Sequence, residues 1–304
     1  MSNQHSTAKY VFYYLLILIS LGFASIGIGQ IIWQVINSLF PETTYTYDTF
    51  FSQDVLRFGL SSVIIAGPLY WYMSYLTNKD LESGKLRPDS ALRKWMTYLI
   101  LLASSLVVLG FLIGLLNSFL AGELTVKFIL KALAAIILAG AIFLYYLHDI
   151  RRVDLKRDQL IIWFGRGAAL LMISGVILGF FFIDSPAKAR ALREDQERLN
   201  RLQNISYQVE DFYRTEEKLP KSFDELKNRL TPRDLVDPVS EESFEYKPLN
   251  AKNYQLCAVF AFSNREGEMS AAPWGYPAPN WFHDAGRYCF DHKVEEPVKP
   301  ILGR

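Results

Sequence analysis

The sequence contains few of the residues that most often carry catalysis or bind metals. Its 304 residues include only two cysteines and four histidines. None of the motifs HExxH, GxSxG or CxxC occurs, and there is no glycine-rich loop that would cradle a phosphate. These absences leave an enzymatic role and a cofactor without support, although they do not exclude an enzyme.

Charged residues are also scarce, but only in the first part of the chain. Residues 1–183 contain 14 basic and 10 acidic side chains, whereas the shorter segment 184–304 contains 18 and 21. A single soluble domain, a disordered chain or a nucleic-acid-binding protein with a basic face would not divide its charge in this way. The division predicts a membrane-embedded part followed by a water-exposed part.

Five apolar stretches in the first part are long enough to cross a bilayer, which needs roughly 20 residues of helix. They are Tyr10–Leu39, Val55–Leu76, Trp95–Leu116, Val126–Leu147 and Leu160–Ile183. We therefore predict a membrane α-helical bundle of five transmembrane helices, followed by a small extracytoplasmic α+β domain. The predicted domains are a four-span region over 1–158, a fifth helix over 159–183 and the outer domain over 184–304.

Lys and Arg residues in the connecting segments predict the orientation of these helices, because cytoplasmic loops are enriched in both. The segment before the first span and the second and fourth connections between spans carry ten such residues. The first and third connections together carry one, Lys127. The amino terminus is therefore predicted to be cytoplasmic. Five spans then place the carboxy-terminal domain outside. Five basic residues between 188 and 201 oppose this, but long exported domains largely escape the rule.

Four polar residues inside the predicted spans are candidates for function, since polar groups in lipid are costly. Gln30 and Gln34 lie one turn apart in the first span, where they could bond a neighbouring helix. Lys131 and Arg166 are the ionisable candidates. We favour the interpretation that the long side chains of these two residues extend to the membrane interface. Lys131 would then not be a transport residue.

Several motifs at the span edges resemble a known family. They are Tyr13-Tyr14-Leu15-Leu16, Leu56-Arg57-Phe58-Gly59, Arg93-Lys94-Trp95-Met96-Thr97-Tyr98-Leu99, Gly122-Glu123-Leu124-Thr125 and Tyr145-Tyr146-Leu147-His148-Asp149-Ile150-Arg151-Arg152. Over about residues 10–152 the chain is similar to a bacterial family of four-span membrane domains of unknown function. The resemblance implies a bacterial plasma or inner membrane protein and no particular activity. His148 and Asp149 could form a catalytic pair, but an interfacial charge cluster is the preferred interpretation.

The outer part begins with a charged helix whose apolar residues, from Leu192 to Phe212, form one stripe. A short helix is predicted over Ser222 to Leu230, and strands are predicted over Phe244 to Pro248, Tyr254 to Phe262 and Arg287 to Val294.

Over about 184–292 this layout resembles type IV pilins and type II secretion pseudopilins. The motifs that carry the resemblance are Tyr213 to Pro220, Phe223-Asp224-Glu225-Leu226, Asp237-Pro238 and Phe244-Glu245-Tyr246. Residues 160–170 lack the glutamate of the pilin processing region, so extraction into a filament is not expected.

The two cysteines, Cys257 and Cys289, both lie in this outer domain and predict a disulfide. A zinc site completed by His283 and His292 is the alternative, although the compact Cys-x2-Cys knuckle is missing. A segment rich in proline and aromatic residues precedes Cys289. Its rings either cover the sheet or form a binding loop, with Trp274, Tyr276 and Trp281 as candidates.

Two functions remain open. The first is a non-enzymatic membrane protein whose outer domain binds a surface or envelope protein. The second is a small-molecule transporter or channel with an accessory outer domain. The two differ in the polar pathway that a transporter needs, for which Gln30, Gln34 and Lys131 would have to converge.

Overall fold

The described part of the chain contains six long helices followed by a small sheet. The computed structural model describes residues 2–40, 51–86, 90–151, 159–265 and 281–294. It divides into two compact units, Met1–Ile183 and Asp184–Arg304. The helices are α1 (Ser2–Leu39), α2 (Gln53–Glu82), α3 (Ala91–Leu120), α4 (Val126–Arg151), α5 (Gln159–Phe182) and α6 (Pro186–Glu216).

Four helices in the described part of the chain are long and apolar enough to cross a membrane. They are Ala8–Leu39, Ala91–Leu120, Val126–Arg151 and Gln159–Phe182. They coincide with four of the five predicted spans. Helix α2 is not among them, because serine, Pro68 and a run of Tyr and Trp residues lower the hydropathy of its apolar stretch.

Helices α1 and α2 pack against each other through glycine. A Cβ atom placed on Gly27 would lie 2.8 Å from the carbonyl oxygen of Gly59, so the backbones are in contact at this crossing. Small residues allow such an approach between membrane helices. Around the crossing, the side chains of Ile28, Leu56 and Leu60 are fully or almost fully buried.

In the second unit, capping residues determine where α6 begins and ends, and an apolar stripe determines which face is buried. The Ser185 hydroxyl accepts a hydrogen bond from the Lys188 N–H, and Pro186 occupies the first turn, where it has no N–H to leave unbonded. The helix ends at Glu217, which has a positive φ of 54°. The predicted stripe is confirmed in its second half, where Leu202, Ile205 and Val209 are fully buried.

An antiparallel sheet of order β1-β2-β3 packs on this stripe. Its strands are β1 (Glu245–Pro248), β2 (Asn253–Phe260) and β3 (Gly286–Lys293), close to the three predicted ones. On β2 the side chains of Tyr254, Leu256 and Phe260 are buried, as expected for the face that contacts the helix.

The predicted helix over 222–230 is shorter in the structure. A single 3-10 turn covers Phe223–Leu226, and the chain continues as turns. Leu226 and Leu230 both reach the core from this segment. Its conformation is therefore fixed by the burial of two leucines rather than by a continuous helix.

Candidate functional site

A group of buried and half-buried polar side chains in the first unit lies at one end of the helical bundle. There, the beginnings of α1 and α3 meet the ends of α2 and α4 around a pocket of about 50 Å³. A polar cavity of this size has room for a few water molecules. Its polar lining includes Tyr14, Tyr70, Asn78, Arg93, Thr97, Tyr146 and Asp149.

Helical spacing brings these residues to one pocket. Arg93 and Thr97 are one turn apart on α3, as are Tyr70 and Ser74 on α2. The hydroxyl groups of Tyr70 and Tyr146 are 3.2 Å apart, so a hydrogen bond joins α2 to α4. The pocket is therefore assembled from four helices and exists only when they are packed together.

An ion pair between Arg93 and Asp149 forms one wall of the pocket. The Arg93 Nη2 atom lies 3.0 Å from Asp149 Oδ2 and donates a second bond, at 3.1 Å, to the Asp149 carbonyl oxygen. The Arg93 residue is only 7% exposed. Because α4 ends at Arg151, that carbonyl is one of the last four, which have no partner within the helix. Arg93 therefore satisfies both a carboxylate and a helix end.

This pairing also bears on the alternative role of His148 and Asp149. The structure pairs the Asp149 carboxylate with Arg93 of another helix, which agrees with the preferred charge cluster. A second ion pair is near the same end, where Lys9 Nζ lies 2.9 Å from Asp80 Oδ2. The pocket is thus bordered by paired charges of both signs.

The four polar residues that the sequence singled out as candidates for function do not line this pocket. The Gln34 side-chain oxygen accepts a 2.7 Å hydrogen bond from the Ser52 N–H, just before α2 begins. Lys131 is 6% exposed, and its ammonium group lies 5.9 Å from the Trp33 ring centre. Lys131 is therefore buried against α1, and the extension of its side chain to a membrane interface stays a prediction.

Gln30 and Arg166 have different surroundings in the first unit. Gln30 is half-buried beside Gly59, at the crossing of α1 and α2. Arg166 is exposed, and its guanidinium lies 5.9 Å from the ring centre of Trp163.

In the second unit, Cys257 and Cys289 are bonded to each other, as predicted. They are directly opposite one another on β2 and β3. The zinc alternative is wrong, because both sulfur atoms are used in the disulfide. No group of residues that could hold a metal ion occurs in the described part of the chain.

The two histidines of that alternative are buried among aromatic rings. His283 stacks on Phe260 with ring centres 3.6 Å apart, and His292 lies 4.5 Å from the Trp281 ring. Burial lowers the pKa of both histidines. For His283 the Asp284 backbone carbonyl and the carboxylates of Asp195 and Asp284 act in the opposite direction, and for His292 the Asp291 carboxylate does.

Of the candidate binding loop, only Trp281 lies within the described residues. It is buried against Phe290, with ring centres 4.8 Å apart, and so belongs to the core of this unit. Trp274 and Tyr276 lie outside the described residues.

Sequence reasoning missed a buried charge network that ties α6 to the sheet. Arg198 donates to Asp195 at 2.8 Å and to Asp237 at 2.5 Å. The Asp195 carboxylate also accepts the N–H groups of Ala261 and Phe262, just beyond β2. Burial alone would raise the pKa of Asp237, but hydrogen bonds from Arg198 and two backbone N–H groups lower it. The i, i+3 spacing of Asp195 and Arg198 was the available signal.

The pocket residues were also missed as a set, although two signals were present. Arg93 and Asp149 both lie in the motifs that carried the family resemblance, and tyrosine recurs at the ends of α2 and α4. Arg93 and Asp149 lie on separate helices, and the pattern of the sequence does not indicate that they meet.

The chain matches no curated protein and no solved structure. A match to a protein family covers α1 to α3 and most of α4, and it includes every pocket residue named above except Asp149. Residues 10–146 match the family described as domain of unknown function DUF5671.

Proposed function

We propose that this protein is a bacterial membrane protein whose five-helix bundle anchors the second unit outside the cytoplasm and presents it to a protein partner. The observation that carries the proposal is the packing in the middle of the bundle.

The middle of the bundle is packed with backbone and aliphatic side chains. Besides the Gly27–Gly59 crossing, Gly179 packs so closely on Leu60 that a Cβ atom there would lie 2.5 Å from it. A Cβ atom on Gly175 would likewise lie 2.9 Å from the Ile28 side chain. Transport of a polar solute needs polar groups or water along the whole path. A packed middle favours an anchor.

Helix α2 is proposed to cross the membrane as well, in addition to the four helices named above. Its 30 residues have a length of roughly 45 Å at about 1.5 Å per residue, which exceeds a bilayer core. It packs along α1, and apolar side chains such as Phe58, Ile64 and Ile65 are exposed on its other side. Lipid is the environment in which such a surface is stable, and an odd number of spans places the two termini on opposite sides.

The fold of the second unit supports the proposal that it is a pilin-like domain presented outside the cytoplasm. A long amphipathic helix packed on an antiparallel sheet, with the intervening turn segment between them, is the arrangement expected from that resemblance. A disulfide is typical of domains outside the cytoplasm. A surface or envelope protein is the proposed partner.

The alternative is a small-molecule transporter or channel. It draws on the polar pocket around Arg93 at one end and the buried Lys131 near the other. These two polar regions would have to become connected through the packed middle during a transport cycle. The anchor needs no such rearrangement.

Reporter fusions test the proposal. Alkaline phosphatase, which is active only outside the cytoplasm, is fused after Ala121 and after Arg304, and a fluorescent protein that folds only inside is fused at the same positions. We expect phosphatase activity at both positions. If α2 does not cross, both fusions instead report the cytoplasm. A fusion after Ser83, expected to be cytoplasmic, is the matched control.

A further inference from the structure

The outer edge of β3 presents hydrogen-bonding groups that β2 does not use. The Val294 N–H donates to the Lys252 carbonyl at 3.0 Å, which fixes the even-numbered residues of β3 as those bonded to β2. The N–H and C=O groups of Arg287, Cys289 and Asp291 therefore point to the other side. Among the described strands, none pairs with this edge, because β3 ends the sheet.

The two edges of the sheet differ in how well they could accept another strand. At the opposite edge, β1 has four residues and ends at Pro248, which lacks an N–H. Strand β3 has eight residues and no proline. Short strands and proline block edge pairing, so β1 is protected in this way and β3 is not.

The side chains along β3 match a second, antiparallel copy of the same strand. If Cys289 lies on a two-fold axis, Arg287 of one copy is opposite Asp291 of the other, and the reverse pair forms as well. In this register all three residues direct their backbone groups toward the second copy. Charges of a single sign would repel a second copy, whereas opposite charges placed symmetrically about one residue attract it.

Within one copy both side chains are directed across the sheet, so each would turn toward the outer edge of β3 to meet a second copy, and each keeps one polar atom for this. Arg287 uses Nε and Nη2 on Glu245, at 3.1 and 2.5 Å, and its Nη1 has no hydrogen-bond partner among the described residues. Asp291 accepts from Gln255 through Oδ1 at 3.0 Å, and its Oδ2 likewise has none in that part of the chain. Both residues are exposed.

We propose that the second unit forms a two-fold symmetric dimer in which the β3 strands of two copies of this chain pair in antiparallel fashion, with Cys289 on the axis and Arg287 opposite Asp291. The result is a continuous sheet of six strands. Tyr288 and Phe290, which face α6, lie opposite each other across the axis, so the aromatic core also extends from one copy to the next.

The test uses the full-length, oxidised protein in detergent, with its mass measured by light scattering. The unchanged chain is expected to be a dimer. Arg287→Asp and Asp291→Arg each place like charges opposite one another twice, and each is expected to weaken the dimer by roughly tenfold or more. The double variant, with both changes in one chain, restores opposite charges and should restore the dimer.

Co-expression of the two single variants with different tags is a more specific test of the proposed pairing. Their mixed dimer has opposite charges at both pairs, so each variant should capture the other while remaining monomeric alone. Lys247→Asp, the same kind of charge change on the protected strand β1, should leave the dimer intact. Thermal unfolding of each variant checks that it is folded. A monomeric unchanged chain, or single variants that remain dimeric, or a mixture that does not associate, would overturn the proposal.

Discussion

Arg93 is the residue on which the polar end of the bundle most depends. Its guanidinium group joins α3 to α4 through the Asp149 carboxylate and carbonyl, and it is almost completely buried. A buried charge that loses its partner is costly, whereas loss of both partners costs less than the sum of the two single losses. The pair therefore provides a direct measure of how tightly this end of the bundle is assembled.

We expect Arg93→Gln and Asp149→Asn each to destabilise the bundle by about 2 kcal/mol or more, as charged hydrogen bonds of buried groups do. The double variant should lose clearly less than the two single effects combined. Thermal unfolding in detergent is the measurement. Lys9→Gln removes the exposed partner of Asp80 at the same end, and little change is expected there. Additive effects of the two single changes would contradict the coupling.

At the scale of elements, the crossing of α1 and α2 is set by the absence of side chains. A Cβ atom on Gly27 meets the Gly59 carbonyl at 2.8 Å, whereas one on Gly29, two residues further on, meets nothing within 4 Å. The same helix thus contains a glycine that the packing requires and one that it does not.

Gly27→Ala should therefore separate the two helices and lower the melting temperature, because backbone atoms cannot move aside as the end of a flexible side chain can. Gly29→Ala is the matched control and should be neutral or slightly stabilising, since alanine favours helix over glycine. Melting in detergent distinguishes the two variants. Equal tolerance of both would mean that the close crossing does not exist.

Two buried histidines, His292 on β3 and His283 just before it, have pKa values that are lowered by burial. A group with a lowered pKa in the folded state binds its proton more readily when unfolded, so acid favours unfolding. Stability of this unit should be complete above the ordinary histidine pKa of 6.5 and should fall as the pH drops below it.

The side chain of His292 offers the clearest check, because its Nε2 atom is buried without a hydrogen-bond partner among the described residues. His292→Phe keeps a ring against Tyr254 and Trp281 and removes the proton site. We expect a smaller loss of stability between pH 7 and pH 5 than in the unchanged chain. Hydrogen exchange of β2 and β3, corrected for its intrinsic pH dependence, measures this. An unchanged pH dependence would show that His292 does not contribute.

At the scale of the whole molecule, the sequence predicted what depends on local pattern. Hydropathy located four helices that are long and apolar enough to cross a membrane, and period-two alternation located the strands to within a few residues. The disulfide followed from there being only two cysteines.

What the sequence could not predict depends on contacts between distant residues. Arg93 and Asp149 are 56 residues apart, and nothing local shows that their helix ends meet. The burial of Lys131 against Trp33 likewise depends on how α4 packs on α1.

We propose that an anchor of five spans presents the second unit outside the cytoplasm. Protease treatment of intact spheroplasts that contain the unmodified chain, with the fragments identified by mass spectrometry, tests this directly. We expect peptides from 184–304 to be lost while the connection between α2 and α3, near Ser90, stays protected until lysis. Protection of residues 184–304 in intact spheroplasts, with digestion only after lysis, would contradict it.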